Sequence, residues 1–259
     1  MNLDYFHVDA FADRVFTGNP AGVVPLKRWL PTNVLQSLAA EVGHAETAFF
    51  VPRDGAYHLR WFTPKVEVDL CGHATLATAH VLWNQLGHAG ETIRFDTLSG
   101  LLTVSRDNGR LTLDFPARPP LATDCPPELV EGLGLKPFQV WKARDYLAVF
   151  RREDEVRALT PSFAKLAQLD CLGIIATAPG KSVDFVSRFF APRAGIDEDP
   201  VTGSAHCTLT PYWSKRLGKP RLRAEQLSAR GGRLWCEIAA DRVLISGHAM
   251  TFLQGKIAV

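Results

Sequence analysis

Apolar and polar positions alternate from Leu3 to Ala12 through Tyr5, Phe6, Val8 and Phe11, which predicts a strand near the start of the chain. The cluster Thr17-Gly18-Asn19-Pro20 reads as a tight turn into a second strand at Ala21-Gly22-Val23-Val24. From Pro31 to Val42 the period lengthens: Leu35, Leu38, Ala39 and Val42 share one face of a helix that Gly43 can end. Strands are predicted again at 44–51 and 57–63. The next stretch, Pro64 to Thr75, is extended, passes through Gly72, and opens a run from Ala74 to Leu86 that is nearly free of charge. A helix apolar on all sides is a buried helix. Short strands at 92–96, 101–106 and 110–115 follow, with Asn108-Gly109 a strong hairpin signal between the last two.

Five prolines between Pro116 and Pro127 interrupt the pattern and mark a domain boundary. Beyond it the chain predicts helices at 128–133, 162–169 and 205–217, the last rich in small and apolar residues on its first turns. Strands are predicted at 140–141, 146–150, 173–178, 185–190, 243–246 and 252–257, and as a hairpin of 226–230 and 234–239 around Gly231-Gly232. Across this boundary the chain repeats itself. Arg60-Trp61-Phe62-Thr63-Pro64 returns as Arg188-Phe189-Phe190-Ala191-Pro192, and Gly72-His73-Ala74 returns as Gly203-Ser204-Ala205, three positions later relative to the proline. Each copy then enters a helix poor in charge. A period of half the chain indicates duplication of a whole domain. The expected architecture is therefore α+β: two similar domains, each a mixed sheet around one buried helix, with a cleft between them.

Composition narrows the function classes. At 259 residues the chain can bury a sizeable core, and 46% hydrophobic with 22% charged residues is ordinary for a globular protein. The net charge of +2, without a basic run or stripe, argues against a nucleic-acid partner. No secretory signal is read at the N-terminus and no stretch is long and apolar enough for a membrane span, so the expected location is the cytoplasm. The five cysteines, Cys71, Cys125, Cys171, Cys207 and Cys236, are odd in number and scattered, which fits a reducing compartment.

The candidate chemistry gathers at the two helix starts. Free N–H groups and the positive helix end at Gly72 and at Gly203 suit a carboxylate, worth roughly 0.3–2 kcal/mol each. His73 and Ser204 stand beside these glycines and can add hydrogen bonds, although Ser204 also reads as a plain helix cap and His73 as a first-turn polar residue without a chemical part. Glu46, among small and apolar residues, reads either as an exposed acid on the wet face of a strand or as an acid/base whose pKa is raised by its surroundings. Asp199, in the acidic turn Asp197-Glu198-Asp199-Pro200, precedes the second glycine as Asp69 precedes the first. Cys71 could be a nucleophile or base at the helix start, but the second copy has Thr202 at the matching place, so an exchange between two thiols cannot be written. Cys71, His73, His206 and Cys207 match no zinc spacing, and no nucleotide loop or nucleophile elbow is present.

Val8-Asp9-Ala10-Phe11 with Phe16-Thr17-Gly18-Asn19-Pro20-Ala21-Gly22-Val23-Val24 resembles the opening of the phenazine-biosynthesis PhzF-like isomerase family. The resemblance continues through Ala45-Glu46-Thr47-Ala48-Phe49, Phe62-Thr63-Pro64, Asp69-Leu70-Cys71-Gly72-His73-Ala74-Thr75 and Phe190-Ala191-Pro192. It closes with Glu198-Asp199-Pro200-Val201-Thr202-Gly203-Ser204-Ala205 and Arg230-Gly231-Gly232. It implies a diaminopimelate-epimerase-like pseudo-dimer, with residues 1–117 and a returning last strand at 250–259 in the first domain and 118–249 in the second. It also implies a metal-free and cofactor-free isomerase, usually a homodimer, acting on a small-molecule carboxylate. In that family the acid/base glutamate falls on Glu46, the active-site histidine on His73, the aspartate on Asp199 and the serine on Ser204, with Gly72 and Gly203 supplying N–H groups to the carboxylate. Cys71 then becomes a bystander. Two alternatives stand beside this reading, a two-base epimerase or racemase of the related class and a non-catalytic small-molecule-binding protein on the same scaffold.

Overall fold

A computed structural model describes all 259 residues. In chain order its elements are β1 (Asn2–Ala10), β2 (Asn19–Pro25), α1 (Thr32–Val42), β3 (Thr47–Arg53), β4 (Ala56–Phe62), β5 (Glu67–Val68), α2 (Gly72–Asn84), β6 (Thr92–Thr97), β7 (Gly100–Asp107) and β8 (Arg110–Pro116). They continue with β9 (Leu121–Ala122), α3 (Pro127–Leu133), β10 (Gln139–Lys142), β11 (Tyr146–Val149), α4 (Glu153–Arg157), α5 (Phe163–Leu166), β12 (Ile174–Pro179) and β13 (Phe185–Ala191). After a 3₁₀ turn at Pro192–Ala194 come β14 (Ile196–Asp199), α6 (Gly203–Leu217), β15 (Arg221–Gln226), β16 (Gly232–Ala239), β17 (Arg242–Gly247) and β18 (Ala249–Ala258). The chain divides into two compact units, Met1–Asp114 with Ser246–Val259, and Phe115–Ile245. No helix is long and apolar enough to cross a membrane.

The two units share one topology. In the first, β1 and β2 are antiparallel, β2 and β3 parallel, β3 and β4 antiparallel, β4 and β6 parallel, and β6 and β7 antiparallel. In the second, the same sequence of senses runs through β10, β11, β12, β13, β15 and β16. In each, the short strand and the long helix fall between the fourth and fifth of these strands. Strand β18 completes the first unit by pairing antiparallel with β1, from Leu3 opposite Ile257 to Ala10 opposite Ala249.

The repeated arginine explains why the motif recurs. Arg60 donates from Nε and Nη2 to the two carboxylate oxygens of Glu67, at 2.7 Å each, with its guanidinium 5.0 Å from the Phe62 ring. Arg188 makes the same fork to Glu198, at 2.7 and 2.8 Å, and lies 5.0 Å from Phe190. Planar two-point pairing of this kind is strong and directional. Each fork ties the end of a long strand (β4, β13) to the short return strand (β5, β14) that leads to a helix start. The three-residue drift of the second copy is the turn Pro192–Ala194.

The helices enclosed by these strands have almost no wet face. In α2, Gly72 to Ala79 and Val81 to Trp83 are all buried, and the helix packs against β1, β2, β3 and β18. Hydroxyls inside it turn back on the backbone, Thr75 to the Cys71 carbonyl and Thr78 to the Ala74 carbonyl. Helix α6 carries Pro211 in its interior. A proline there leaves the carbonyl four residues back without its helical partner, and the Arg118 N–H donates to that carbonyl, on Cys207, at 2.8 Å.

Several elements differ from the sequence pattern, among them strands β9 and β14, which it does not announce, and two more. The strand expected at 226–230 lies at Arg221–Gln226, because the Gln226 side chain is drawn inward to bond the start of α6. Helix α4 has no apolar period to announce it. It is held instead by the Glu155 carboxylate, which accepts the N–H groups of Arg151 and Arg152, and by the Arg157–Glu153 pair.

His206 makes this core sensitive to acid. It is fully buried in α6, its Nδ1–H donates to the Thr202 carbonyl at 2.8 Å, and its Nε2 has no protein partner. Burial pushes its pKa down to about 4, against the smaller raising effect of the Thr202 carbonyl. The folded chain refuses a proton that the unfolded chain accepts below about 6.5. Its contribution to stability is therefore complete above pH 6.5 and is lost as the pH falls from there towards 4. Denaturant unfolding at pH 7.5 and pH 5 is expected to show a loss of roughly 1–2 kcal/mol from this residue. The loss should be smaller in His206→Gln; an equal loss in both would contradict the assignment.

Candidate active site

The first unit builds its polar cluster at the one open end of α2. Cys71 is the N-cap, extended at φ −143° and ψ 110°, and makes no side-chain cap. The N–H groups of Gly72, His73 and Ala74 therefore begin the helix without intrahelical acceptors. His73 is the second helical residue, and its ring reaches the Glu46 Oε2 from Nε2 at 3.3 Å and the Asn19 Nδ2 from Nδ1 at 3.3 Å. Cys71 Sγ lies 3.6 Å from Nδ1 and 4.0 Å from Nε2. Both acidic and imidazole side chains are largely enclosed, with 13% of the Glu46 side chain and 7% of that of His73 exposed. Glu46 is thus not the exposed acid of a wet strand face. It stands one residue before β3, where its carbonyl accepts the Gly22 N–H.

The network sets the tautomer of His73. An amide nitrogen can only donate, so Asn19 Nδ2–H gives a hydrogen bond to Nδ1, leaving the ring proton on Nε2, 3.3 Å from Glu46 Oε2. Burial is the main cause that pushes the His73 pKa down to about 3, and the charge that His44 can carry adds to it. Ion-pair geometry with Glu46 is present, but an imidazole this deep stays neutral. The contact is therefore the close approach of a neutral ring to a carboxylate and not an ion pair.

Asn19 was read from the sequence as part of a tight turn, and the turn is real. Gly18 has φ +72°, and a Cβ there would stand 2.2 Å from the Ala10 carbonyl oxygen, so only glycine fits. The buried Asp9 accepts the Phe16 N–H at 3.0 Å and holds the loop from its other end. What the turn achieves is the delivery of a fully buried Asn19 side chain to His73.

The second unit repeats the helix start with different side chains. Asp199 is buried, and its Oδ2 accepts the Thr202 hydroxyl. Gln226, fully buried, accepts the Thr202 N–H at 2.9 Å through Oε1 and donates from Nε2 to the Asp199 carbonyl at 2.7 Å. Thr202, not Ser204, is the N-cap of α6, which removes the cap reading of Ser204. The Ser204 hydroxyl accepts from Arg144 Nη2 at 3.3 Å. Arg144 is aimed by the buried Asp145, whose Oδ2 takes Nε and Nη2 and whose Oδ1 takes the Gly173 N–H.

The six residues expected at the site thus fall into two groups: Glu46, Gly72 and His73 at the α2 start, and Asp199, Gly203 and Ser204 at the α6 start. Asn19, Arg144, Asp145 and Gln226 escaped the sequence reading as side chains that serve them. Of the residues considered for a metal, Cys71 and His73 stand together with Glu46, and one donor atom from each lies within 4.8 Å of the others.

Comparison with known proteins covers the chain as a whole. The family model for phenazine biosynthesis-like proteins matches residues 8–255. An uncharacterized isomerase of Pseudomonas aeruginosa is 53% identical over 257 residues, covering 99% of each chain. The crystal structure of a PhzF-family phenazine biosynthesis protein from Enterococcus faecalis superposes with a TM-score of 0.98 at 48% identity, covering 100% of both chains. A hydroxyproline epimerase from Agrobacterium vitis, solved with trans-4-hydroxy-L-proline, covers 100% of this chain and 93% of its own at a TM-score of 0.64 and 10% identity, a likeness of fold alone.

The tautomer is testable directly. Nitrogen NMR of labelled protein at pH 7 is expected to show His73 neutral, with Nε2 protonated and Nδ1 bare. Asn19→Asp should move the proton to Nδ1 and raise the pKa from about 3, because a carboxylate accepts where the amide donated. A bare Nε2 in the wild-type protein would overturn the assignment.

Proposed function

The chain belongs to the phenazine biosynthesis-like family, PhzF, and is an isomerase; we propose that it moves a proton between two carbons of a small carboxylate, with Glu46 as the single acid/base. The observation that carries this reading is the enclosed Glu46 carboxylate, whose Oε2 lies 3.3 Å from Nε2 of a neutral His73 ring that Asn19 contacts at 3.3 Å on its other nitrogen. Glu46 takes the proton from a carbon made acidic by conjugation with the substrate carboxylate, and returns it to a second carbon of the same face. His73 orients Glu46 and does not change its own charge in the cycle. The N–H groups that begin α2 at Gly72 receive a substrate carboxylate oxygen. Asp199, Gly203 and Ser204 are proposed as substrate-binding groups of the second unit, with Asp199 taking an amine or hydroxyl. The substrate class is a cyclic or amino-acid-like carboxylate.

A racemase using two thiols is disfavoured by the residue at the place matching Cys71. Thr202 stands there, and its hydroxyl donates to Asp199.

General acid–base catalysis of this kind is typically worth roughly 10²–10⁴ in rate. Glu46→Gln, which keeps the shape, is expected to lose at least about 10²-fold in turnover and in deuterium uptake from heavy water. Full activity in that variant would remove Glu46 from the mechanism. The pH profile gives a second check. With a His73 pKa of about 3, protonation of His73 removes no activity between pH 7 and pH 5. An acid limb near the ordinary histidine value that vanishes in His73→Gln would contradict the neutral role.

A further inference from the structure

We propose that the start of α2 is also a zinc-binding site, formed by Cys71 Sγ, His73 Nε2 and Glu46 Oε2, and that a bound Zn²⁺ holds the enzyme inactive. The three donors come from two places in the chain, the helix start and the residue before β3, and converge within 4.8 Å. The His73 Nε2 to Glu46 Oε2 separation is 3.3 Å and the Cys71 Sγ to His73 Nε2 separation 4.0 Å. With Zn–N and Zn–O near 2.0–2.2 Å and Zn–S near 2.3 Å, ligand atoms on a tetrahedral ion stand roughly 3.3–3.6 Å apart. The first separation already meets this, and the sulfur, 4.0 Å from Nε2 and within 4.8 Å of the carboxylate oxygen, must close in by about half an ångström or more, as a turn of the cysteine side chain allows. Sulfur, imidazole nitrogen and carboxylate oxygen together select zinc over magnesium or calcium, which prefer oxygen alone.

Charge supports the same assignment. A dication in an enclosed site is costly unless balanced. Here one thiolate and one carboxylate bring the set to neutrality, with His73 contributing a lone pair and no charge. Binding releases the Cys71 thiol proton to solvent and shifts the imidazole proton from Nε2 to Nδ1. Asn19 then serves from its carbonyl oxygen after a turn of its amide, accepting the Nδ1–H. Metal-bound histidines characteristically donate their other nitrogen to such a partner. The helix N-terminus adds N–H groups around the Cys71 thiolate. The binding rests on this geometry alone, whereas the inactivation rests on the reading of Glu46 as the acid/base.

Cobalt(II) and zinc, each added alone, test it without any substrate. Equilibrium dialysis of the wild-type protein is expected to retain one zinc per chain, and cobalt should give a thiolate-to-metal charge-transfer band with the intense visible bands of a tetrahedral ion. Cys71→Ser and Cys71→Ala should abolish the charge-transfer band while the circular dichroism stays that of the wild type. The Cys125→Ser/Cys171→Ser double variant, which removes the two partly exposed thiols, should keep it. Asn19→Ala is expected to weaken zinc binding by roughly 10–100-fold. A band that survives loss of Cys71, or that disappears with Cys125 and Cys171, overturns the site, as does failure of the wild-type protein to retain zinc. In the deuterium-uptake assay, zinc should suppress turnover and a chelator restore it. Zinc bound at Cys71 with turnover unchanged would overturn the inactivation and the role of Glu46 while leaving the binding site standing.

Discussion

A helix without a wet face is the constraint on which the rest of the molecule depends. Helix α2 is buried from Gly72 to Ala79 and again to Trp83, so its strands must close around it and its interior can carry no charge. Only its first turn, where three N–H groups lack acceptors, tolerates polar side chains. Those side chains must then satisfy one another, because water is largely excluded. Asn19, Glu46 and Cys71 each bring a polar atom to 3.3–3.6 Å from the His73 ring. Helix α6 obeys the same constraint with a different solution, a knot of Thr202, Asp199 and Gln226.

The duplication shows which features the constraint demands and which are free. The Arg60–Glu67 and Arg188–Glu198 forks are the same to within 0.1 Å although the segments between them differ by the turn Pro192–Ala194. The fork is what fixes the approach of each return strand to its helix, so it survives an insertion. The residues after each glycine, His73 and Ser204, differ, as do Cys71 and Thr202 before them.

Much of this is legible in the amino-acid sequence, for identifiable reasons. The buried helices announce themselves because burial on all sides leaves no polar period to hide behind, and the repeat is visible because an arginine fork needs the same residues twice. The resemblance in Asp69-Leu70-Cys71-Gly72-His73-Ala74-Thr75 and its partner blocks carries the family, which the match over residues 8–255 bears out. Side chains that act across long sequence separations are not legible. Asn19 meets His73 across a sequence separation of 54 and looks like a turn residue until the fold delivers it. Arg144 and Gln226 are ordinary polar residues of strand ends until Ser204 and Thr202 arrive beside them. Cys71, dismissed on the pattern of the repeat, proves to touch the imidazole.

The neutral state of His73 matters to the proposed chemistry as much as its position. A protonated imidazole 3.3 Å from Glu46 would hold the carboxylate as the anion of an ion pair. An opposite charge that close lowers a carboxyl pKa by about 1–3 units, which is roughly 1–4 kcal/mol of lost basicity towards a carbon acid. A neutral ring beside the carboxylate costs it far less of its strength as a base. Burial is what keeps the ring neutral, and Asn19 is what keeps its proton on the side of Glu46. The same enclosure brings a thiol, an imidazole and a carboxylate together within 4.8 Å. The proposed single base and the proposed zinc site therefore share one cause: a buried helix that gathers its polar side chains at its first turn.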